Sequence, residues 1–251
     1  MKICVIPDCQ VKPGVPLDHL TWLGRHIAKK RPDYVVCIGD FADMPSLSSY
    51  DKGKKSFEGR RYTKDIQSVH TAMALLMEPI RAKQARRIYK KWNPRFVLTL
   101  GNHEHRISRA IENQAELEGL ISIEDLKYEE FGWEVYPFLE VVELEGIAFS
   151  HYFTSGVMGR PIGNARQLLQ KKAMSCVQGH LQHRDIAYMQ RANGEQMTGL
   201  FTGSFYQHHE DYLGPQGNSH YRGAWMLYGV DGKGYFDEVA LPLEYLKEKY
   251  A

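Results

Sequence analysis

Cysteine is scarce in this 251-residue chain. The four present, at positions 4, 9, 37 and 176, are too few and too scattered for a disulfide framework or a thiolate metal site. Cys4 and Cys37 lie inside apolar runs, where a free thiol acts as a small buried hydrophobe. Net charge is almost absent as well: 32 Lys+Arg against 30 Asp+Glu leave +2. That balance excludes a bulk attraction to nucleic acid or to an anionic membrane, so any basic surface must be local. No apolar run approaches the roughly 18 residues that span a bilayer, and no membrane partner is expected. The opening MKICVIPD lacks a secretory apolar core, because Pro7 and Asp8 follow four apolar residues. Internal repeats, low-complexity segments and linkers are missing too. With 43% hydrophobic and 25% charged residues, the composition excludes a disordered, collagen-like or coiled-coil chain. The expectation is a soluble protein of a reducing, cytoplasmic compartment, built as one α/β domain over residues 1–251.

What is present is a series of short β-rich runs ending in polar tips. Ile3–Ile6 ends in Pro-Asp8-Cys-Gln10, Tyr34–Ile38 in Gly39-Asp40, and Phe96–Leu100 in Gly101-Asn102-His103-Glu104. Ile147–Ser150 ends in His151, and Met174–Gln178 in Gly179-His180. Continuous apolar runs of this length suit strands covered on both faces. Helical spacing fills the gaps: Leu20, Leu23 and Ile27, then Ile66 to Ile80 continued by Ile88 and Trp92, with Pro79 expected to kink or divide that helix. A third stripe runs from Ile107 to Leu120, and a fourth covers Ala165, Leu168 and Leu169. Ser122 and Asp125 resemble a capping box, with Gly132 placed to close that short helix. After residue 195 the pattern turns to strands and loops, with Asp231-Gly232 as a hairpin turn between two of them.

Charge is unevenly placed. Residues 81–95 carry seven basic groups and no acid, whereas 112–145 carry eleven acids and one Lys. Residues 52–64 add six basic groups against one acid. Solvated helix faces account for the first two. Segment 52–64 follows a functional-looking loop, so it is equally a phosphate-attracting flap.

The strand tips hold the chemistry. Ligands of α/β sheets sit outside the carboxyl ends of the strands, and five tips here present metal-ligating side chains. Each alone has an ordinary reading: an Asp after a strand caps a helix or forms a turn, and an isolated His is usually a half-buried, satisfied one. Five at successive strand ends point to a shared metal site.

In order, these residues are Asp8-x-Gln10, Gly39-Asp40-x-x-Asp43, Gly101-Asn102-His103-Glu104, the isolated His151 and Gly179-His180-x-Gln182. The pattern resembles the calcineurin-like metallophosphoesterases across residues 8 to about 183. The GNHEHR wording and the long insertion after Asp40 most resemble phage-encoded members, which would place the protein in a host cytoplasm. The resemblance implies a four-layer sandwich of two mixed β-sheets flanked by helices, and a site for two divalent metal ions. Manganese is the foremost cofactor, with magnesium, nickel, iron or zinc as alternatives. Asp40 would bridge the cations, Asp8 would hold the first, and Asn102, His151 and His180 would complete the second. A metal-bridging hydroxide would then attack a phosphate ester. His103, next to a ligand, is expected to assist the leaving group, with Glu104 orienting its ring. Asn102 and Arg106 are candidates for binding the substrate phosphate.

Family members commonly carry His where this chain has Gln10 and Gln182. By the resemblance both belong to the first metal, so that site is expected to be weaker and to favour hard cations. His183 is an alternative ligand to Gln182 if the tip curls; strand alternation favours Gln182. The segment Tyr206 to Tyr212, including His208 and His209, is a candidate pocket wall that, with His220, Tyr221 and Arg222, would stack a nucleotide. The expected activity is hydrolysis of phosphate esters, phosphodiesters foremost, with nucleic acid or a nucleotide as partner. The alternatives are a phosphomonoesterase or protein phosphatase using the same site, and a non-catalytic metal-binding scaffold for protein interaction. Oligomeric state is not legible.

Overall fold

The structure, a computed structural model, describes residues 1–89, 91–210 and 213–251. Lys90 of the basic segment, and Asp211 and Tyr212 of the expected pocket wall, lie outside the described residues. Three apolar runs form the parallel strands β1 (Ile3–Ile6), β2 (Tyr34–Cys37) and β3 (Arg95–Thr99). β4 (Glu134–Tyr136) joins them in parallel beyond β3. A second sheet contains β5 (Val142–Leu144), β6 (Ile147–Ser150), β7 (Ser175–Gln178), β8 (Arg184–Gln190) and β9 (Gln196–Thr202), in the order β5-β6-β7-β9-β8. The chain then returns to the first sheet with β10 (Gly223–Tyr228) and β11 (Asp237–Pro242), giving the order β11-β10-β1-β2-β3-β4. Both sheets mix parallel and antiparallel pairs.

Strand alternation divides each apolar run between two cores. Ile3, Val5, Val36 and Val97 face the second sheet and meet Ile147, Phe149, Val177 and Leu200. Cys4, Ile6, Val35, Cys37 and Leu98 face the opposite way, against α1 (Asp18–Lys30) and α2 (Tyr62–Gln84). The short α3 (Arg106–Asn113) adds Ile107 to this core. On the far side, α4 (Ala165–Lys172) packs Ala165 and Leu168 on Ala148, Cys176 and Phe201. The layers therefore run helices, sheet, sheet, helix. All four cysteines are free and buried. Among the described residues no helix is long and apolar enough to cross a membrane.

Several local expectations change. α2 is not divided at Pro79: it runs to Gln84, with the proline ring against Gly24 of α1. Gly24 is required there, because a Cβ would lie 2.3 Å from the Leu76 carbonyl oxygen. Ile88 is exposed rather than continuing the stripe, and the third helix stops at Asn113, leaving Leu120 exposed. The Ser122–Asp125 capping box forms, but its helix ends at Leu126 with Lys127 left-handed, five positions before Gly132. The β10–β11 connection is a longer loop in which the Asp231 carboxylate accepts from the Lys233 and Tyr235 amides. Beyond α5 (Gly214–Gly217), the chain closes with a helix that periodicity had not suggested, α6 (Leu243–Tyr250), which buries only Leu243 and Leu246.

α6 docks on α1 around His26, whose Nδ1 lies 3.1 Å from the Tyr250 hydroxyl and whose ring meets Tyr245 and Tyr250 edge-on. Burial first, then Lys30, Lys249 and Lys29, lower its pKa from 6.5 to about 4. A histidine neutral when folded and free to charge when unfolded stabilises the fold above pH 6.5 and ceases to as pH falls toward 4. Thermal melts across that window are expected to show a smaller loss of Tm for His26→Phe than for the wild type. The gap should be about 2–4 °C for each kcal/mol of linkage. Parallel losses would show that His26 is not held neutral.

Candidate metal centre and active site

The five tips meet because the parallel strands of both sheets end at one edge of the sandwich. Turning each chain there requires unusual backbone: Gln10, Asp40, His180 and Gln182 have φ of 44°, 50°, 65° and 59°. Non-glycine residues in this left-handed region carry strain, and strain of this kind concentrates at functional sites. Two tip glycines are needed for close approach rather than for turning. A Cβ on Gly101 would sit 2.1 Å from Asp40 Oδ1, and one on Gly179 would sit 2.3 Å from Asp8 Oδ1. Any larger residue at either place would push a carboxylate out of the centre.

Glu104 does not orient the His103 ring. It is fully buried, and its Oε2 accepts from the backbone N–H of Asp40 (3.0 Å) and Gly101 (2.9 Å). Its Oε1 accepts from Ala42 N–H (2.8 Å) and the Tyr128 hydroxyl (3.3 Å). One carboxylate thus fastens the turn after β2 to the turn after β3. Burial, then the neighbouring Asp40, raise its pKa.

Between these turns lies a cluster of electron-pair donors. His151 Nδ1 lies 2.9 Å from the Ile38 carbonyl, which can only accept, so the ring carries its proton there and directs Nε2 inward. Nε2 faces Asn102 Oδ1 at 2.9 Å and Asp40 Oδ2 at 3.4 Å. Ligand atoms of Asp40, His151 and His180 all lie within 4.8 Å of one another. Beside them Asp8 is fully buried; its Oδ1 accepts from His180 N–H at 3.2 Å, while its Oδ2 has no partner. The side-chain oxygen of the buried Gln10 also lacks one. Burial foremost, with Asp40 adding to it, pushes the Asp8 carboxyl up to about 7. Burial works against a charge on His151, but Asp40 beside it prevails and lifts the ring to about 9. Burial and then His151 bring His180 down to about 4.

These facts are the signature of a site short of positive charge. Electron-pair donors converge here, and two buried oxygens, Asp8 Oδ2 and Gln10 Oε1, lack a partner among the described residues, at a cost of about 1–3 kcal/mol each. Hard oxygen and imidazole donors of this kind fit divalent cations. Asp40, Asn102, His151 and His180 are placed to hold one, and Asp8 with Gln10 to contribute to another.

His103 is buried beside that cluster and lines the cleft. Its Nδ1 is 2.8 Å from Asp43 Oδ1, and its Nε2 lies 3.8 Å from Asp40 Oδ2 and 3.2 Å from Arg106 Nη2. Asp43 is therefore the orienting carboxylate. Burial opposes the charged form of His103, yet Asp40 and Asp43 raise its pKa; Asp43 is held well below the usual carboxylate range despite burial, by the His103 hydrogen bond first. Arg106 donates from Nη1 to the Asp43 carboxylate (3.0 Å) and carbonyl (2.7 Å), so it braces this turn while lining the cleft. Sequence reasoning missed Lys12, whose Nζ binds Asp43 Oδ2 at 3.1 Å and Glu210 at 2.6 Å. A lysine two residues after a ligand carries no signal of its own.

The remaining candidates separate. Gln182 lines the cleft, but its Oε1 accepts from the Tyr206 hydroxyl at 2.8 Å. His183 stacks on Phe201 instead, at 5.3 Å between ring centroids. His209 lines the cleft, whereas His208 stacks on Tyr206 and pairs with Glu210 at 2.7 Å. The expected nucleotide-stacking wall is closed. Tyr206 is fully buried between His208 and the Arg222 guanidinium, and Tyr221 packs on Arg184 and Trp225. The cleft, about 980 Å³, extends from Asp40 and His103 to the basic segment at Lys54, Arg61 and Lys64.

Comparison with known proteins follows this geometry. The family model described as calcineurin-like phosphoesterase matches residues 1–198. Among solved structures, a conserved uncharacterized protein and predicted phosphoesterase from Streptococcus pneumoniae TIGR4 is 14% identical. The match covers 97% of this chain and 90% of that one at a TM-score of 0.41. A dimetal phosphatase from Danio rerio is 11% identical, with 97% and 99% of the two chains covered and a TM-score of 0.37. No curated protein matches in sequence.

Glu104→Gln keeps the side-chain shape but sets an amide N–H₂ against backbone donors. It is expected to lower the unfolding free energy by about 2–4 kcal/mol, as when a buried charged acceptor is lost. Denaturant melts showing less than about 0.5 kcal/mol, the range of a surface change, would remove Glu104 from this bracing role.

Proposed function

The chain belongs to the calcineurin-like phosphoesterase family and is a metal-dependent phosphoester hydrolase; from that premise we propose that it cleaves phosphodiesters, nucleic acid or a nucleotide among them. The observation carrying this reading is His103, aimed by Asp43, with Nε2 at the cleft beside Asp40 and 3.2 Å from Arg106 Nη2, a contact that a protonated Nε2 exchanges for the leaving oxygen. An alkyl phosphate ester, diester or monoester, expels an alkoxide, which needs a proton in the transition state. As the bond from phosphorus to the leaving oxygen breaks, that oxygen takes the proton from His103 Nε2. Asp43 supports the positive ring while it waits; the water that adds to phosphorus gives its proton to bulk solvent, and the neutral His103 ring takes one back from solvent to close the cycle. Asn102 and Arg106 orient the non-bridging oxygens. Two divalent cations, manganese foremost, would supply an activated water and positive charge opposite the phosphoryl oxygens. The open cleft and its basic flap support a substrate larger than a monoester. A phage source and a host cytoplasmic location rest on the GNHEHR wording and the long insertion after Asp40.

Activity is tested by replacing metals (Mn²⁺, Ni²⁺, Mg²⁺, Zn²⁺) on a phosphomonoester, bis(p-nitrophenyl) phosphate, and single- and double-stranded DNA. Diester turnover exceeding monoester turnover is expected; the reverse order would make the protein a monoesterase. His103→Ala should lower kcat about 10²–10⁴-fold on an alkyl leaving group, and much less on p-nitrophenolate, which needs no proton. Equal losses on both would take the proton-donor role away from His103.

The first metal has Asp8 and Gln10 in place of an imidazole-rich set, and the Gln182 oxygen is already engaged by Tyr206. Equilibrium dialysis is therefore expected to show one tight Mn²⁺ and one at least tenfold weaker. Two equally tight zinc ions would contradict the assignment.

A further inference from the structure

Seven cations line the cleft, and most are already engaged. Lys12 binds Asp43 and Glu210, Arg106 binds Asp43, and both Lys54 and Arg60 bind Asp51. Arg61, Lys64 and Arg109 remain. All three are exposed, and none has an acidic partner among the described residues. Arg61 donates only to its neighbour's carbonyl, and Arg109 to the carbonyl of Asn102 at 3.4 Å. Of the acids on the cleft wall, Asp43, Asp51 and Glu210 are taken by the pairs above. Asp40 is buried against His103 and His151, and Asp65 is buried and accepts from Ser46 N–H, which leaves Glu58 as the lone exposed counter-charge on the cleft wall among the described residues.

Their position is costly to the fold. Arg61 is the N-cap residue of α2 and Lys64 lies in its first turn; Arg109 stands in the first turn of α3, behind Arg106. Helix N-termini carry partial positive charge, so cations there are disfavoured for stability. Two helices that open on the same cleft both begin with bases, and neither base set is neutralised. A ligand's negative charge removes that repulsion.

We propose that Arg61, Lys64 and Arg109 form a subsite for a phosphate flanking the scissile one, so that the preferred substrate is an ester carrying more than one phosphate. The inference rests on the diesterase reading above for the identity of the scissile group. The three residues line the same cleft as Asn102 and His103. The subsite selects by charge and spacing. No base-reading group is part of it, which fits the full burial of Tyr206 and the packing of the half-buried Tyr221 on Arg184 and Trp225.

The test separates this subsite from catalysis. Fluorescence anisotropy follows binding of labelled decathymidylate to metal-free wild-type protein and to the Arg61→Ala/Lys64→Ala/Arg109→Ala variant, with a second titration using tripolyphosphate as competitor. The variant is expected to bind decathymidylate at least tenfold more weakly. Its slope of log affinity against log salt should be shallower by about 2, as for loss of three contacts to a single strand. Weakening seen only with tripolyphosphate also supports the subsite and identifies a small polyphosphate ester as the ligand. Affinities within twofold for both probes would overturn it. In the manganese-loaded enzyme, the loss of kcat/KM on decathymidylate should exceed that on bis(p-nitrophenyl) phosphate at least tenfold; equal losses would also overturn it. A wild type that turns over neither substrate with any metal refutes the diesterase reading, while the anisotropy result still decides the subsite. Should the triple variant melt early, Lys64→Gln alone carries the same test at reduced size.

Discussion

The centre depends on one buried carboxylate that touches neither substrate nor cation. Glu104 accepts four hydrogen bonds, three of them from backbone amides on two different turns. Those turns must be held because they are strained: Asp40 sits in left-handed backbone, and its Oδ1 is pressed into the space a Cβ on Gly101 would need. Asp40 Oδ1 also accepts from His103 N–H at 2.9 Å, and His103 and Arg106 both bond Asp43, but among the described contacts Glu104 is the one side chain that gathers backbone amides from both turns. The positions of Asp40, Asn102 and His103 follow from it.

A second constraint is electrostatic. Asp8, Asp40 and Glu104 lie buried within one small region, and such charges are tolerated only when paired or metallated. The fold supplies three kinds of compensation. Backbone amides serve Glu104, the His103 and His151 rings serve Asp40, and Asp8 is left with a free oxygen that calls for an external cation. The sandwich makes this crowding workable. Tips from the first sheet provide the carboxylates and Asn102, tips from the second provide His151 and His180, and the apolar seam between the sheets keeps water from screening them.

Much of this was legible because strand tips advertise their chemistry by residue type. The five polar tips, the two-sided burial of the strands and the α1, α2 and α4 stripes all follow from local pattern. What failed was whatever depended on partners remote in sequence. Glu104 reads as a helper of the adjacent His103, yet its partners include amides more than sixty residues away, and the ring is held by Asp43. Strand alternation favoured Gln182 over His183, but residues 180 and 182 are both left-handed, so alternation does not operate there. Gln182 faces the cleft through the turn and its bond to Tyr206. The aromatic loop looked like a stacking platform because sequence cannot show that Tyr206 is buried between a histidine and an arginine. Short β4, β5 and α6 carry too few buried positions to produce a period.

The match to the family ends at residue 198, but the structure does not divide there. β10, which hydrogen-bonds to β1, comes later, as do Phe205, whose amide binds the Asp8 carbonyl, Tyr206 on Gln182, and Glu210 on Lys12. The last fifth of the chain is thus a keystone laid from outside the shared family core. Relatives that differ in this stretch can retune the spacing of their catalytic edge while every motif residue stays the same.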